Sequence, residues 1–174
     1  MHLRFAPPTT EQLDRLRCEA LALPVLSDER PLRGALGIVD WRLCGLVSRL
    51  VIRGAVSTSA LQTTLVPGRP KLVVDKVFLF GAGPSAELDE AKQRALVEHM
   101  LDTAIKAGVR TTALVLPGRG TDLVSPAAAM EILVSVSRAR GEVDELIVLE
   151  PAEAQKSMEP VLERERRRAA AERE

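Results

Sequence analysis

The segment Leu72 to Gly83, LVVDKVFLFGAG, constrains the fold more than any other stretch of the chain. Val73, Val74, Val77, Phe78, Leu79 and Phe80 form a nearly continuous apolar run, interrupted by Asp75 and Lys76. A strand covered on both faces reads this way. The run ends in Gly81-Ala82-Gly83-Pro84-Ser85 and passes into a charged, helix-forming stretch from Glu87 to Lys106. A glycine turn leading from a buried strand into a helix is the basic joint of α/β architecture. The segment therefore predicts a central strand over 72–80 and a crossover helix over 87–107. Leu88, Ala91, Ala95, Leu96, Met100, Ala104 and Ile105 are its expected apolar face, and Gly108 its stop. Asp75 is expected at the outer end of the strand, near a hairpin.

The flanking segments extend the pattern. Residues 1–10 read as an arm or a short edge segment. Thr9-Thr10 can cap a short helix over 11–16. Residues 18–23 form a plausible first strand, closed by Pro24 and a polar loop. Gly34 to Gly37 read as a second loop, and Asp40 as the N-cap of a helix. Leu43, Leu46, Val47, Leu50 and Val51 recur along it at helical spacing, and Gly54 ends it. Residues 62–66 predict a strand, joined to the central one through the turn Pro67-Gly68-Arg69-Pro70 as an antiparallel hairpin. TTALVL at 111–116 and 145–149 are further strands. Ser125-Pro126 opens a helix with serine as cap and proline at its first position. Gly141 is expected to end that helix, and Pro151 introduces the last, over 152–169. Strands alternating with helices predict an α/β fold, with a mixed, mostly parallel sheet and helices on both faces. The expected division is a domain over 1–160 and a charged, solvated tail over 161–174, rich in Glu, Arg and Ala.

Composition narrows the function classes. Lys+Arg and Asp+Glu balance at 24 each, so no overall field draws the chain to nucleic acid. With three Phe, one Trp and no Tyr, a stacking platform for bases is lacking as well. Trp41 reads as a core or interface anchor. No apolar run approaches the ~18–20 residues of a membrane span, and no secretory leader is visible. Cys18 and Cys44 are far apart, without a CxxC or a neighbouring His. They predict buried, inert thiols in a reducing compartment, and hence a cytoplasmic protein without zinc.

Chemistry is sparsely provided. The only histidines are His2, near the terminus, and His99, expected on the solvent side of its helix. No GxSxG, HExxH or Walker loop occurs. No catalytic residue, metal ligand or cofactor is therefore assigned. Two loops stand out, Gly81–Ser85 and Pro117-Gly118-Arg119-Gly120-Thr121-Asp122, each following an apolar strand and preceding a helix. Glycine-turn amides at such positions favour anions, and an arginine adds charge. Gly81, Gly83, Ser85, Gly118, Arg119 and Gly120 are thus the candidate ligand-binding residues, for a phosphate-bearing small molecule. The simpler alternative is that these glycines only turn the chain.

The run over 38–120 resembles the amino-terminal domain of the leucyl (cytosol) aminopeptidases. The resemblance rests on IVDWRLCGLVSRLVIRG, QTTLVP, KVFLFGAGPSAELDEAKQRALVEHMLDTAIKAG and TTALVLPGR, with Gly81, Gly83, Glu87, Asp89 and Glu90 at the turn. It extends over residues 18–150. Pro84 departs from the lysine often found there in the family. The resemblance implies a three-layer, macro-domain-like fold. It also implies that the metal ions and catalytic residues belong to a separate carboxyl-terminal domain, which no segment here matches. The expected role is a stand-alone, non-catalytic module for protein interaction or homo-oligomer assembly. One alternative is a macro-type binder of a nucleotide or ADP-ribose phosphate through the 81–85 and 117–122 loops. Another is an accessory subunit of a separate metal-dependent aminopeptidase.

Overall fold

The computed structural model describes residues 2–119 and 124–171. The elements run β1 (His2–Ala6), α1 (Thr10–Arg15), β2 (Ala20–Leu26), α2 (Gly34–Arg42), α3 (Leu46–Ile52), β3 (Thr63–Pro67) and β4 (Lys76–Gly83). A single 3-10 turn (Ser85–Glu87) leads to α4 (Glu90–Lys106), β5 (Thr111–Leu114), α5 (Pro126–Ser137), β6 (Glu145–Leu149) and α6 (Ala152–Ala171). The six strands form one sheet in the order β1-β6-β5-β2-β4-β3. Every neighbouring pair is parallel except β3 with β4. The mixed, mostly parallel α/β sheet read from the sequence is therefore the observed one, and the N-terminal arm is its edge strand β1.

Strand periodicity divides the core in two. Successive side chains of β4 point to opposite faces. Phe78 and Phe80 join α4, α5 and α6 residues such as Met100, Leu133 and Met158 on one side. Val77 and Leu79 join α1, α2 and α3 residues such as Leu13, Val39 and Val47 on the other. All ten are at most 4% exposed. Full burial of an aliphatic or aromatic side chain of this size is worth roughly 1.5–3 kcal/mol, so β4 anchors both layers at once. In α4 the buried face is Gln93, Leu96, Val97, Met100, Leu101 and Ala104, whereas Ala91 is exposed.

Three local departures have physical causes. The strand begins at Lys76 rather than Leu72. The preceding residues form a tight turn in which a Cβ on Gly68 would lie 2.3 Å from the Val74 carbonyl oxygen. Leu72 and Val74 are nevertheless buried from within that turn, which explains the long apolar run, and Asp75 pairs there with Arg69. The second departure is in the 34–54 region. Gly34 to Gly37 is helical, not a loop, and the chain breaks instead at Cys44 and Gly45, which adopt φ +58° and +73°. Asp40 therefore sits inside α2. It caps α3 from across the break, its carboxylate accepting from Ser48 N at 3.1 Å and from Ser48 Oγ. The third concerns α4, whose N-cap is Asp89, accepting from Lys92 N at 2.8 Å.

Ser125 and Pro126 open α5 as expected, with Ser125 Oγ accepting from Ala128 N; the helix ends at Ser137, short of Gly141. α6 runs unbroken through Pro160, with Met158, Val161 and Leu162 buried. Beyond Leu162 its side chains are largely exposed, but Arg164 pairs with Glu131 at 2.8 Å and Arg166 donates to the Leu3 carbonyl.

Candidate functional site

The parallel strands carry their carboxyl ends to one side of the sheet, where open α/β folds bind ligands. There the ends of β2, β4 and β6 and the segment after β5 border a cavity of about 160 Å³. Leu26, Ala82, Leu116 and Leu149 give it an apolar wall, and Gly118 and Arg119 close one side. Among the described residues its charged groups are Glu29, Arg33, Arg119 and Glu150, two of each sign. Burial pushes the Glu29 carboxyl above its ordinary range.

Arg119 is not available as a free cation. Its Nε donates to Glu150 Oε1 at 3.0 Å, and its terminal nitrogens reach Glu150 Oε2 at 3.5 Å and the Val124 carbonyl at 2.9 Å. The side chains of Arg119 and Glu150 are 13% and 3% exposed. Burial raises the Glu150 pKa, while the Arg119 charge and hydrogen bonds pull it down in part. The pair is thus a desolvated, mutually neutralising unit on the cavity wall. Glu150 also anchors backbone, its N–H donating to the Ala6 carbonyl and its own carbonyl accepting from Gln155 Nε2.

The 81–85 loop lies apart from Arg119, and of its residues only Ala82 reaches this cavity. Gly81 borders a smaller apolar hollow of about 90 Å³ with Leu61, Leu88 and Leu96. The loop's donors are engaged within the chain. Gly81 N donates to the Gln62 carbonyl and Gly83 N to the Thr58 carbonyl, each at 2.8 Å. Ser85 N meets both carboxylate oxygens of Asp28 at 3.0 and 3.1 Å, and Ser85 Oγ donates to Asp28 Oδ2 at 2.6 Å. These bonds from Ser85 hold the Asp28 carboxyl below the usual range. An internal carboxylate thus occupies the place an external anion would take. Gly81 is required for close approach, since a Cβ there would lie 2.0 Å from the Ser59 carbonyl oxygen.

Of the candidate residues, then, Gly118 and Arg119 flank the larger cavity, while Gly81 and Gly83 lie in the end of β4 rather than in a turn and, like Ser85 just beyond it, are bonded internally. Gly120 lies outside the described residues. Sequence reasoning passed over Asp28 and Glu150. Their signal was positional, since each lies within two residues of the carboxyl end of a parallel strand. Gln93 was also missed. It is 1% exposed, neither amide atom has a hydrogen-bond partner among the described residues, and its Nε2 lies 2.7 Å from where a Gly118 Cβ would be.

Other expectations are corrected. Cys44 is exposed rather than buried, and Cys18 is half-buried with its thiol pushed up to about 11 by burial, which makes it a poor nucleophile. His99 is half-buried, stacked edge-on against Phe80 at 5.6 Å, with Nε2 2.8 Å from Thr63 Oγ1. Trp41 is 66% exposed, outside the core, with the Arg42 guanidinium 5.3 Å from its ring centre. Among the described residues no group of three or more His, Cys, Asp or Glu is placed to hold a metal, and no helix is long and apolar enough to cross a membrane.

The family model described as the cytosol aminopeptidase family, N-terminal domain, matches residues 22–144. No curated protein matches the sequence significantly. Among solved structures, the Trypanosoma brucei macrodomain in complex with ADP is 15% identical, with a TM-score of 0.73, over 92% of this chain and 69% of that one. The macrodomain of Mycobacterium tuberculosis DarG is 16% identical, with a TM-score of 0.66, over 85% of this chain and 97% of that one. A tomato leucine aminopeptidase mutant is 16% identical, with a TM-score of 0.64; the match covers 91% of this chain but only 35% of that enzyme. At such identities the structures establish a shared fold and nothing finer. With its family-model match over most of its length, the chain belongs to the cytosol aminopeptidase family as a macrodomain-like N-terminal domain.

Proposed function

We propose that this chain is a non-catalytic module whose work is protein assembly rather than phosphate-ligand binding. One observation carries the reading: Ser85 and Arg119, the side chains that would recognise an anion, are already engaged internally. Asp28 takes the Ser85 donors, and Glu150 takes Arg119. A cavity of about 160 Å³ is also small beside the roughly 300–1,000 Å³ of typical ligand pockets. The family match is to a domain other than the one expected to hold metal, which supports the absence of hydrolysis in the residues described.

A second reading is favoured by the apolar cavity wall and by the Trypanosoma brucei macrodomain complexes with ADP and ADP-ribose. In it the cavity takes the base of a nucleotide, and Gly118 and Arg119 meet the phosphate once Glu150 releases the guanidinium.

Thermal melting of the purified chain with 1 mM ADP-ribose separates the two. A ligand at 100 times its Kd stabilises by about 2.7 kcal/mol, and each kcal/mol moves Tm by about 2–4 °C for a chain of this size. The assembly reading expects a shift below about 1 °C. A rise of several degrees overturns it, as does metal-dependent hydrolysis of a leucyl substrate by the purified chain. Co-purification with an aminopeptidase would identify one partner class.

A further inference from the structure

The two edges of the sheet are treated differently. β1 carries Arg4, paired with Glu145 at 2.7 Å, and Arg166 of α6 donates across to the Leu3 carbonyl. Charge, a covering helix and proline on the edge are the usual devices that stop an edge from pairing. β3 has only the last, Pro67 at its end. Its sequence, Thr63-Thr64-Leu65-Val66-Pro67, contains no charge, and Leu65 is 55% exposed.

The backbone pattern of β3 follows from its register with β4. Gly81 N donates to Gln62 O and Gly68 N to Asp75 O. In an antiparallel ladder bonded residues alternate, so Thr64 and Val66 face β4 with their backbone groups. Thr63, Leu65 and Pro67 turn theirs outward. Pro67 thereby places its missing N–H away from β4, the arrangement proline requires on an edge strand. The outward groups of Thr63 and Leu65 have no backbone partner among the described residues. Among the described residues, three of the five large apolar side chains that are exposed, Leu61, Leu65 and Val73, belong to this one hairpin and its entry. Unpaired backbone and exposed apolar surface thus coincide.

We propose that β3 pairs antiparallel with β3 of a second copy about a two-fold axis through Leu65, continuing the sheet across a homodimer. This rests on the assembly reading above and names its surface and partner. The strand is self-complementary: Leu65 meets Leu65 of the other copy as a bonded pair, and Thr63 N–H meets the Pro67 carbonyl at both ends. The absence of charge on β3 leaves nothing to repel its own copy. The chain as a whole, with 24 acidic and 24 Lys or Arg residues, carries no net repulsion. Pairing like edges is isologous and closes after two copies. The blocked β1 edge prevents propagation from the other side.

Light scattering after size exclusion at about 10–200 µM should give the mass of two chains. Leu65→Lys, which adds charge at an exposed site, should give one chain with its circular dichroism preserved. A bonded antiparallel pair sets its Cα atoms about 5.5 Å apart, within disulfide range. In a Cys44→Ser background, Leu65→Cys should therefore crosslink into dimers under mild oxidation, and Val73→Cys should not. A wild type that stays monomeric at 200 µM overturns self-pairing. A dimer that survives Leu65→Lys, with no Leu65→Cys crosslink, overturns this surface while leaving the assembly reading in place. That reading fails separately, through the ADP-ribose and hydrolysis measurements.

Discussion

Glu150→Ala should be among the most damaging single substitutions in the chain, although Glu150 belongs to no strand or helix. The carboxylate is 3% exposed and its partner guanidinium 13% exposed. Removing it leaves Arg119 charged and desolvated, with the Val124 carbonyl as its remaining partner in that network. Breaking a buried ion pair from one side costs about 3–5 kcal/mol, which corresponds to a Tm lowered by roughly 6–20 °C at this chain length. The pair itself need not be strongly stabilising, because desolvation offsets much of its attraction. The double substitution Arg119→Met with Glu150→Leu should therefore lie within about 1 kcal/mol of the wild type. Urea denaturation of the wild type, Arg119→Met, Glu150→Leu and the double variant measures the coupling as a double-mutant cycle. The expected coupling exceeds about 2 kcal/mol, towards the upper part of the range for contacting residues. If the two single losses simply add in the double variant, or if Glu150→Ala costs under about 1 kcal/mol, the pair is not the desolvated unit described, and Arg119 is open to a ligand after all.

Gly81→Ala should destabilise by about 1–3 kcal/mol or more, because the new Cβ would lie 2.0 Å from the Ser59 oxygen and 2.8 Å from the Thr58 carbonyl carbon. Gly141→Ala, which meets nothing within 4 Å, is the control in the same melting series. Glu19 accepts from Arg110 N at 2.6 Å and Thr111 N at 2.9 Å, and these bonds hold its carboxyl below its ordinary 4.5. Its stabilisation is thus fully present above about pH 4.5 and is lost as pH falls through the lowered folded value. Glu19→Gln should cost about 1 kcal/mol at pH 7, and its gap to the wild type should close in acid. A gap that stays constant from pH 7 to pH 3 would contradict this assignment.

The strands and crossovers were legible because their signals are local. Ser125-Pro126 marks a helix start from two residues, and Glu145 to Leu149 is an apolar run bounded by turns. The break between α2 and α3 was hidden by a periodicity that continues across it: Leu43, Leu46, Val47 and Leu50 keep helical spacing although Cys44 and Gly45 turn left-handed. The glycines at 34 and 37 looked like a loop because their helical role depends on packing; a Cβ on Gly37 would lie 2.6 Å from the Leu32 carbonyl oxygen. The candidate site was legible in its residues but not in its partners. Asp28 reaches Ser85 across 57 positions, and Glu150 reaches Arg119 across 31. No local pattern announces that a donor is already taken.

The pairing of β1 with β6 has a consequence for how the chain is made. His2 lies opposite Glu145, so the first strand must wait for nearly the whole domain to be synthesised. At about 5–20 residues per second, that delay is roughly 7–30 s. During it β2, β4 and β5 can assemble from shorter-range contacts, but β5 presents a bare edge until β6 arrives. High contact order slows folding for the same reason, since the loop entropy is lost before the contact forms. The nascent chain is therefore most open to misassociation late in synthesis, at an edge that the finished protein no longer exposes.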